Sequence, residues 1–332
     1  MNRLFIICLT VSFLTTGCGK PSDPDMIYDS GGYSVISRFL TPGNSQDVVK
    51  LDTLLCFAQG EGGLLVINIK DPKNPSIVSV TTQNVRGYSR RIARKENVVY
   101  LCAGTFGLSV VDIANPYNPE VTASNLGMKP AKDAYINDNY LFVSTSEQGV
   151  KIAEITNPRI PEIKEGPQTN GYANGVVLNT DKTLMFVACG EMGLNIFDIS
   201  IFDEGYGEYP MVAWIDFPGY AESVVLHDEL PLAYIASRSA GVQIIDFSDL
   251  NNPRIAATFE TGGVANDVSF YNNKLYVSTQ KAGLQIIDAT HPINLKRIGW
   301  VNTKYALGFD FDEDYIYIAD DIEGLIIVKI PK

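Results

Sequence analysis

Seven evenly spaced positions carry the residues of this 332-residue chain best suited to chemistry. Counted back from a recurring glycine, they read Asp47, Arg91, Asp133, Gly175, Ser223, Asp267 and Gly308. The position before each reads Gln46, Arg90, Lys132, Asn174, Glu222, Asn266 and Leu307, and tyrosines stand three places ahead of four of them, at Tyr88, Tyr172, Tyr220 and Tyr305. A polar set with aromatic neighbours suits a small molecule, a carbohydrate or a peptide. Carboxylates also suit general acid–base work or calcium, but the fixed charge of Arg91, between Asp47 and Asp133 in the series, opposes a cation. Pairing of Asp47, Arg91 and Asp133 across consecutive repeats is an equally complete reason for those charges. The two histidines, His227 and His291, fall in non-equivalent turns away from this set. A Ser–His–Asp or zinc arrangement therefore has no histidine where it needs one. No glycine-rich loop precedes a helix to cradle phosphate. No catalytic set, metal or cofactor is expected.

The glycines that mark these positions belong to a repeat. The runs GLLVIN, GLSVVD, GVKIAE, GLNIFD, GVQIID, GLQIID and GLIIVK begin at Gly63, Gly107, Gly149, Gly193, Gly241, Gly283 and Gly324, at intervals of 41 to 48 residues. That is the period of a four-stranded propeller blade. Each unit parses into a first strand, a polar turn such as Asn272-Asn273, a second strand rich in aromatics, a loop ending in the glycine, and the glycine-led third strand. Near-continuous apolar character in that third strand fits burial on both faces. Proline-bounded turns follow, as at Pro72 and Pro75 or Pro116 and Pro119, where the chain must leave the sheet. A more polar outer strand ends the unit. These runs resemble the LVIVD repeat family of secreted and surface β-propellers, over about Tyr33 to Lys332. The first and last runs depart from the pattern, ending in Asn68 and Lys329 instead of an acid.

The spacing therefore predicts an all-β, seven-bladed β-propeller over 33–332. The last unit stops after its third strand, whereas Tyr33–Leu40 is an orphan spaced like an outer strand. It should complete blade seven, with Val35 and Phe39 buried, and remove an open sheet edge. In such a fold the first strands line a central channel, which places the seven positions in a ring at its top. Top loops add Glu61, Phe106, Glu147, Glu191, Arg238, Lys281, Asp321 and Glu323. The candidate ligand-binding residues are Asp47, Arg91, Asp133, Asn174, Glu222 and Asp267. Blade four is the longest, and Ile201–Tyr209 extends its bottom turn, a second place where binding could sit.

The amino terminus reads as a targeting segment. Arg3 precedes the apolar run Leu4–Leu14, too short to span a bilayer as a helix, and Thr15-Thr16-Gly17 leads into Cys18. This resembles the loose lipobox of Bacteroidetes lipoproteins, in which the cysteine is lipidated and becomes the new amino terminus; an ordinary signal peptide with a stray cysteine is the alternative. The expected organisation is a signal peptide over 1–17, a lipidated tether over 18–32, and the propeller. The formal charge of −12 becomes −13 once 1–17 is removed, since Arg3 is that segment's only charge. Such a surface repels nucleic acid and anionic lipid. Cys56, Cys102 and Cys189 lie in apolar runs at different offsets, which suits small buried hydrophobes better than disulfides. The expected role is a monomeric, non-enzymatic binding or scaffolding module, tethered by lipid to the outer membrane and contacting protein or glycan through its top face. The alternative is a hydrolase or lyase with a top-face carboxylate or metal site.

Overall fold

The computed structural model describes residues 29–85, 87–200 and 209–332. Cys18 with its leader, and the insertion of blade four at 201–208, lie outside the described residues. The described strands form seven four-stranded antiparallel sheets. Blade one is typical, with Asp47–Leu51 innermost, then Leu54–Ala58, Leu64–Asn68 and the outer strand Ser76–Thr81. Inner strands of neighbouring blades lie side by side around the axis, and blade one also abuts blade seven.

Local chemistry accounts for each element. Asn272 and Asn273 both adopt positive φ, 53° and 55°, as a two-residue hairpin turn matched to strand twist requires. The third strands are buried nearly throughout. Their side chains form the core between blades. One apolar cluster joins Val48, Phe57 and Leu65 of blade one to Tyr317, Leu325 and Ile327 of blade seven. The repeated glycine has a steric cause. At Gly241 φ is +74°, and a Cβ would sit 2.1 Å from the carbonyl oxygen of Phe259 on the outer strand. Only glycine allows both the conformation and the approach. Cys56, Cys102 and Cys189 are free and buried.

The amino-terminal strand Ser34–Phe39 pairs antiparallel with Gly324–Lys329 and completes the seventh sheet. Its register shifts opposite Ile327 and Val328, skipping Ile36. Blades one, four, five and six skip one outer-strand residue opposite the equivalent third-strand pair, for example Val78 opposite Val66 and Ile67. The segment thus has the bulge of an outer strand as well as its position. That bulge corrects one expectation. Val35 is exposed, at 39%, and Phe39 only half-buried. The buried anchor is Tyr33, which joins the cluster of Tyr276, Leu284 and Ile286 from blade six. It fits because Gly299 leaves room: a Cβ there would lie 2.8 Å from the Tyr33 ring.

Tyr33→Ala should therefore cost about 3–5 kcal/mol, the range for truncating a large buried aromatic. Val35→Ala should stay within about 0.5 kcal/mol, as at an ordinary surface position. Urea unfolding of the two variants checks both values, and equal effects would contradict this closure.

Candidate functional site: the channel ring and its mouth

The register of every blade brings the seven predicted ring positions to one level. Asp47, Arg91, Asp133, Gly175, Ser223, Asp267 and Gly308 each pair with the second-strand residue five places before the repeat glycine. The two glycines are needed for packing between blades. A Cβ on Gly308 would meet Asp47 Oδ1 at 2.1 Å, and one on Gly175 would meet the backbone of Glu222 at 2.9 Å.

Within the ring the pairing differs from the expected acid–base–acid run of neighbours. Arg91 of blade two reaches blade six, where its guanidinium donates to Asp267 Oδ2 at 2.8 Å and to the Asn266 carbonyl at 3.3 Å. Asp47 lies farther off, at 3.9 Å. Asp133 acts on Arg91 through its field. A long side chain at the mouth of a narrow channel finds the opposite wall as readily as its neighbours, a proximity that sequence order conceals.

The carboxylates have backbone partners as well. Asp47 accepts from its own blade at Val48 N, 2.9 Å, and from blade two at Ile92 N, 3.1 Å. Asp133 likewise accepts from Ala134 and from Val176 of blade four. Asp267 Oδ1 accepts from Val268 N and lies 2.7 Å from Ser223 Oγ of blade five. Asp310, deeper in blade seven, was not foreseen. Its Oδ2 accepts from Lys50 N of blade one at 2.7 Å. The sequence signal was a carboxylate two residues after Gly308, where the ring position has no side chain. These groups cap amides on the inner edges of the sheets, which no further strand can pair.

Burial sets the protonation of the ring. It pushes Asp47 up to about 8, against the pull of Arg91 and with the help of Asp267. Asp133 is raised for the same reasons. Burial works against the charge of Arg91, yet Asp267, Asp47 and Asp133 outweigh it and hold the guanidinium firmly protonated.

Above the ring the channel opens into a polar cavity of about 380 Å³. All seven residues of the preceding tier line it, with Tyr88, Tyr220, Tyr305, Arg91, Gln280, Arg238 and Asp321. Tyr172 does not line it. Tyr88 and Tyr220 pack on the positive-φ glycines of the preceding blades, and a Cβ at Gly60 or Gly190 would touch their rings at 3.0 and 2.9 Å. Of the predicted top-loop residues, Arg238 and Asp321 reach the cavity. Glu323 is instead bound to Arg38 of the closing strand at 2.6 Å. His227 sits in a bottom hairpin, its Nδ1 accepting from Glu229 N and Leu230 N at 3.1 and 3.2 Å. Among the described residues no group of three or more His, Cys, Asp or Glu is placed to hold a metal ion.

Two measurements test this account of the ring. Asp267→Asn should be the most destabilising of the three aspartate-to-asparagine changes. Breaking a buried pair costs about 3–5 kcal/mol, less where solvent reaches the partners, and here 15% and 19% of the two side chains are exposed. Asp133→Asn, which breaks no direct ion pair, should cost least. Asp47 supplies a pH test. Between the ordinary carboxylate range and about 8, the folded chain keeps a proton that the unfolded chain has released. Stability from this group is therefore greatest at acid pH and falls as pH rises toward that value. Asp47→Asn should flatten this fall, so that the variant gains on the wild type from about pH 5 to about pH 8 in paired melting curves.

Comparison with known proteins agrees with this architecture. A family model described as LVIVD repeat matches residues 86–125, 218–261, 262–303 and 310–330, in blades two, five, six and seven. The structure is similar to the β-propeller domain of Myceliophteria thermophila Cps50 (Swd1), with a TM-score of 0.68 at 11% identity, covering 90% of this chain and 100% of that one. It is also similar to the computationally designed Ika8 protein, with a TM-score of 0.60 at 8% identity, covering 87% and 97%. At such identities the likeness is one of fold. No curated protein matches the sequence. The chain thus carries LVIVD repeats in four of its blades and folds as a closed ring of seven four-stranded sheets, a seven-bladed β-propeller.

Proposed function

We propose that the chain is a binding module of the cell envelope, held to the outer membrane by a lipid on Cys18, which engages a protein or glycan as a monomer through the mouth of its channel. The observation that carries this reading is the cavity itself. It is concave, polar and flanked by tyrosines, and its volume of about 380 Å³ falls in the range of ligand sites, roughly 300–1,000 Å³. Its walls come from every blade, so a rigid closed ring positions them. A hydrolytic or lyase reading fits less well. A carboxylate acting as acid or base must offer its oxygen to substrate. Both oxygens of Asp47 accept backbone amides, and Asp267 is engaged by Arg91, Val268 and Ser223.

One experiment with two arms tests the proposal. The full chain should fractionate with membranes and Cys18→Ala should not. The released Cys18→Ala protein should bind isolated cell envelopes, and adding Tyr88→Ala with Asn266→Ala at the mouth should abolish that binding. Tyr117→Ala on a bottom turn, a residue 76% exposed, should leave it unchanged. Binding lost only in the bottom variant would overturn the top-face assignment.

A further inference from the structure

We propose that the mouth takes a carboxylate-bearing sugar, whose acid group is held by Arg90 and Lys132. This rests on the binding reading above and adds the chemical class of ligand. Most of the tier that lines the mouth is already committed to the fold. Gln46 Nε2 donates to Asp321 at 2.6 Å, Asn174 Nδ2 to the Ala221 carbonyl at 2.9 Å, and Asn266 Nδ2 to the Leu307 carbonyl at 3.0 Å. Glu222 pairs with Arg238. Among the described residues, Arg90 and Lys132 have neither carboxylate nor carbonyl partner. They stand at equivalent positions on adjacent blades, and both line the cavity. Lys132 is also partly buried, where an ammonium without a counter-ion is costly. In a chain of net charge −12, two such cations in a concave site are arranged for an anion from outside.

The rest of the mouth selects what carries the anion. Glu222, Asp321 and the amide oxygens of Asn174 and Asn266 can accept hydrogen bonds from hydroxyl groups. Tyr88, 37% exposed with Arg90 5.5 Å from its ring centre, offers an aromatic surface for the C–H side of a sugar ring. Among the described residues Leu307 is the only aliphatic side chain in the lining, so little there would receive the apolar side chains of a peptide. A bare anion would leave the hydroxyl acceptors unused. An acidic sugar uses both halves of the site.

Isothermal titration of the full chain in detergent with trigalacturonate and sialyllactose, against galactotriose and lactose, tests the assignment. At least one acidic sugar should bind about tenfold or more tighter than its neutral counterpart, the change expected from a hydrogen bond to a charged group. Arg90→Gln with Lys132→Gln should abolish that preference with little change in melting temperature, since neither side chain has a hydrogen bond or ion pair to lose and Arg90 gives up only its exposed contact with the Tyr88 ring. Millimolar sulfate should not displace the sugar. Full competition by sulfate would overturn the saccharide assignment in favour of a simple anion site. Equal binding of acidic and neutral sugars, or a preference unchanged in the double variant, would overturn the role of Arg90 and Lys132. If no sugar binds while envelope binding through the mouth persists, the ligand class fails and the binding module stands. If envelope binding also fails, the broader reading falls with it.

Discussion

The third strand of each blade is apolar on both faces, and the rest of the architecture follows from that. A sheet with such a strand has no stable existence in water until another sheet covers each side. The chain answers with seven sheets in a ring, each supplying half of the core on either side. The last interface must close as well as the others. Tyr33 and the bulged strand after it finish blade seven, and the cluster linking Val48 and Phe57 to Tyr317 and Leu325 joins the two ends of the propeller.

Closing the ring turns seven inner strand edges toward the channel, where their amides have no further strand to meet. Asp47, Asp133 and Asp310 each reach the backbone of the following blade, at Ile92, Val176 and Lys50. Their carboxyl oxygens therefore hold the edges of the ring before any ligand is considered, and burial raises the pKa of each. Asp267 differs: it turns to Ser223 and to Arg91, whose guanidinium crosses from the opposite side and bars the channel beneath its mouth.

The top face is tied in the same blade-to-blade manner. Six antiparallel bridges connect the loop after each second strand to the start of the next blade, from Gly60 with Ser89 to Gln280 with Ala306. At the seventh junction the Asp321 carboxylate accepts from Asn44 and Gln46 instead. Side chains at the mouth thus divide into those that fasten neighbouring blades and those, such as Arg90 and Lys132, that do not. That division makes the mouth a better candidate for binding than the ring below it.

Blade number, strand order, the closing segment and the level of the ring were legible in the sequence, because they depend on periodicity and on local rules for glycine, proline and polar turns. The glycine at 241 marks a positive φ and a close approach, and positive-φ glycines at seven equivalent places count the blades. Other features had no local signature. Arg91 and Asp267 are 176 residues apart and meet only because closure sets opposite walls of the channel within reach. Val35 is exposed while Ile36 and Phe39 pack inward, because a bulge between Val35 and Ser37 flips the faces of the strand. Whether a polar residue at the mouth is held or free depends on acceptors presented by the neighbouring blade. Asn174 and Lys132 are both polar in sequence, but only the packing of one blade against the next gives Asn174 a carbonyl and leaves Lys132 without one.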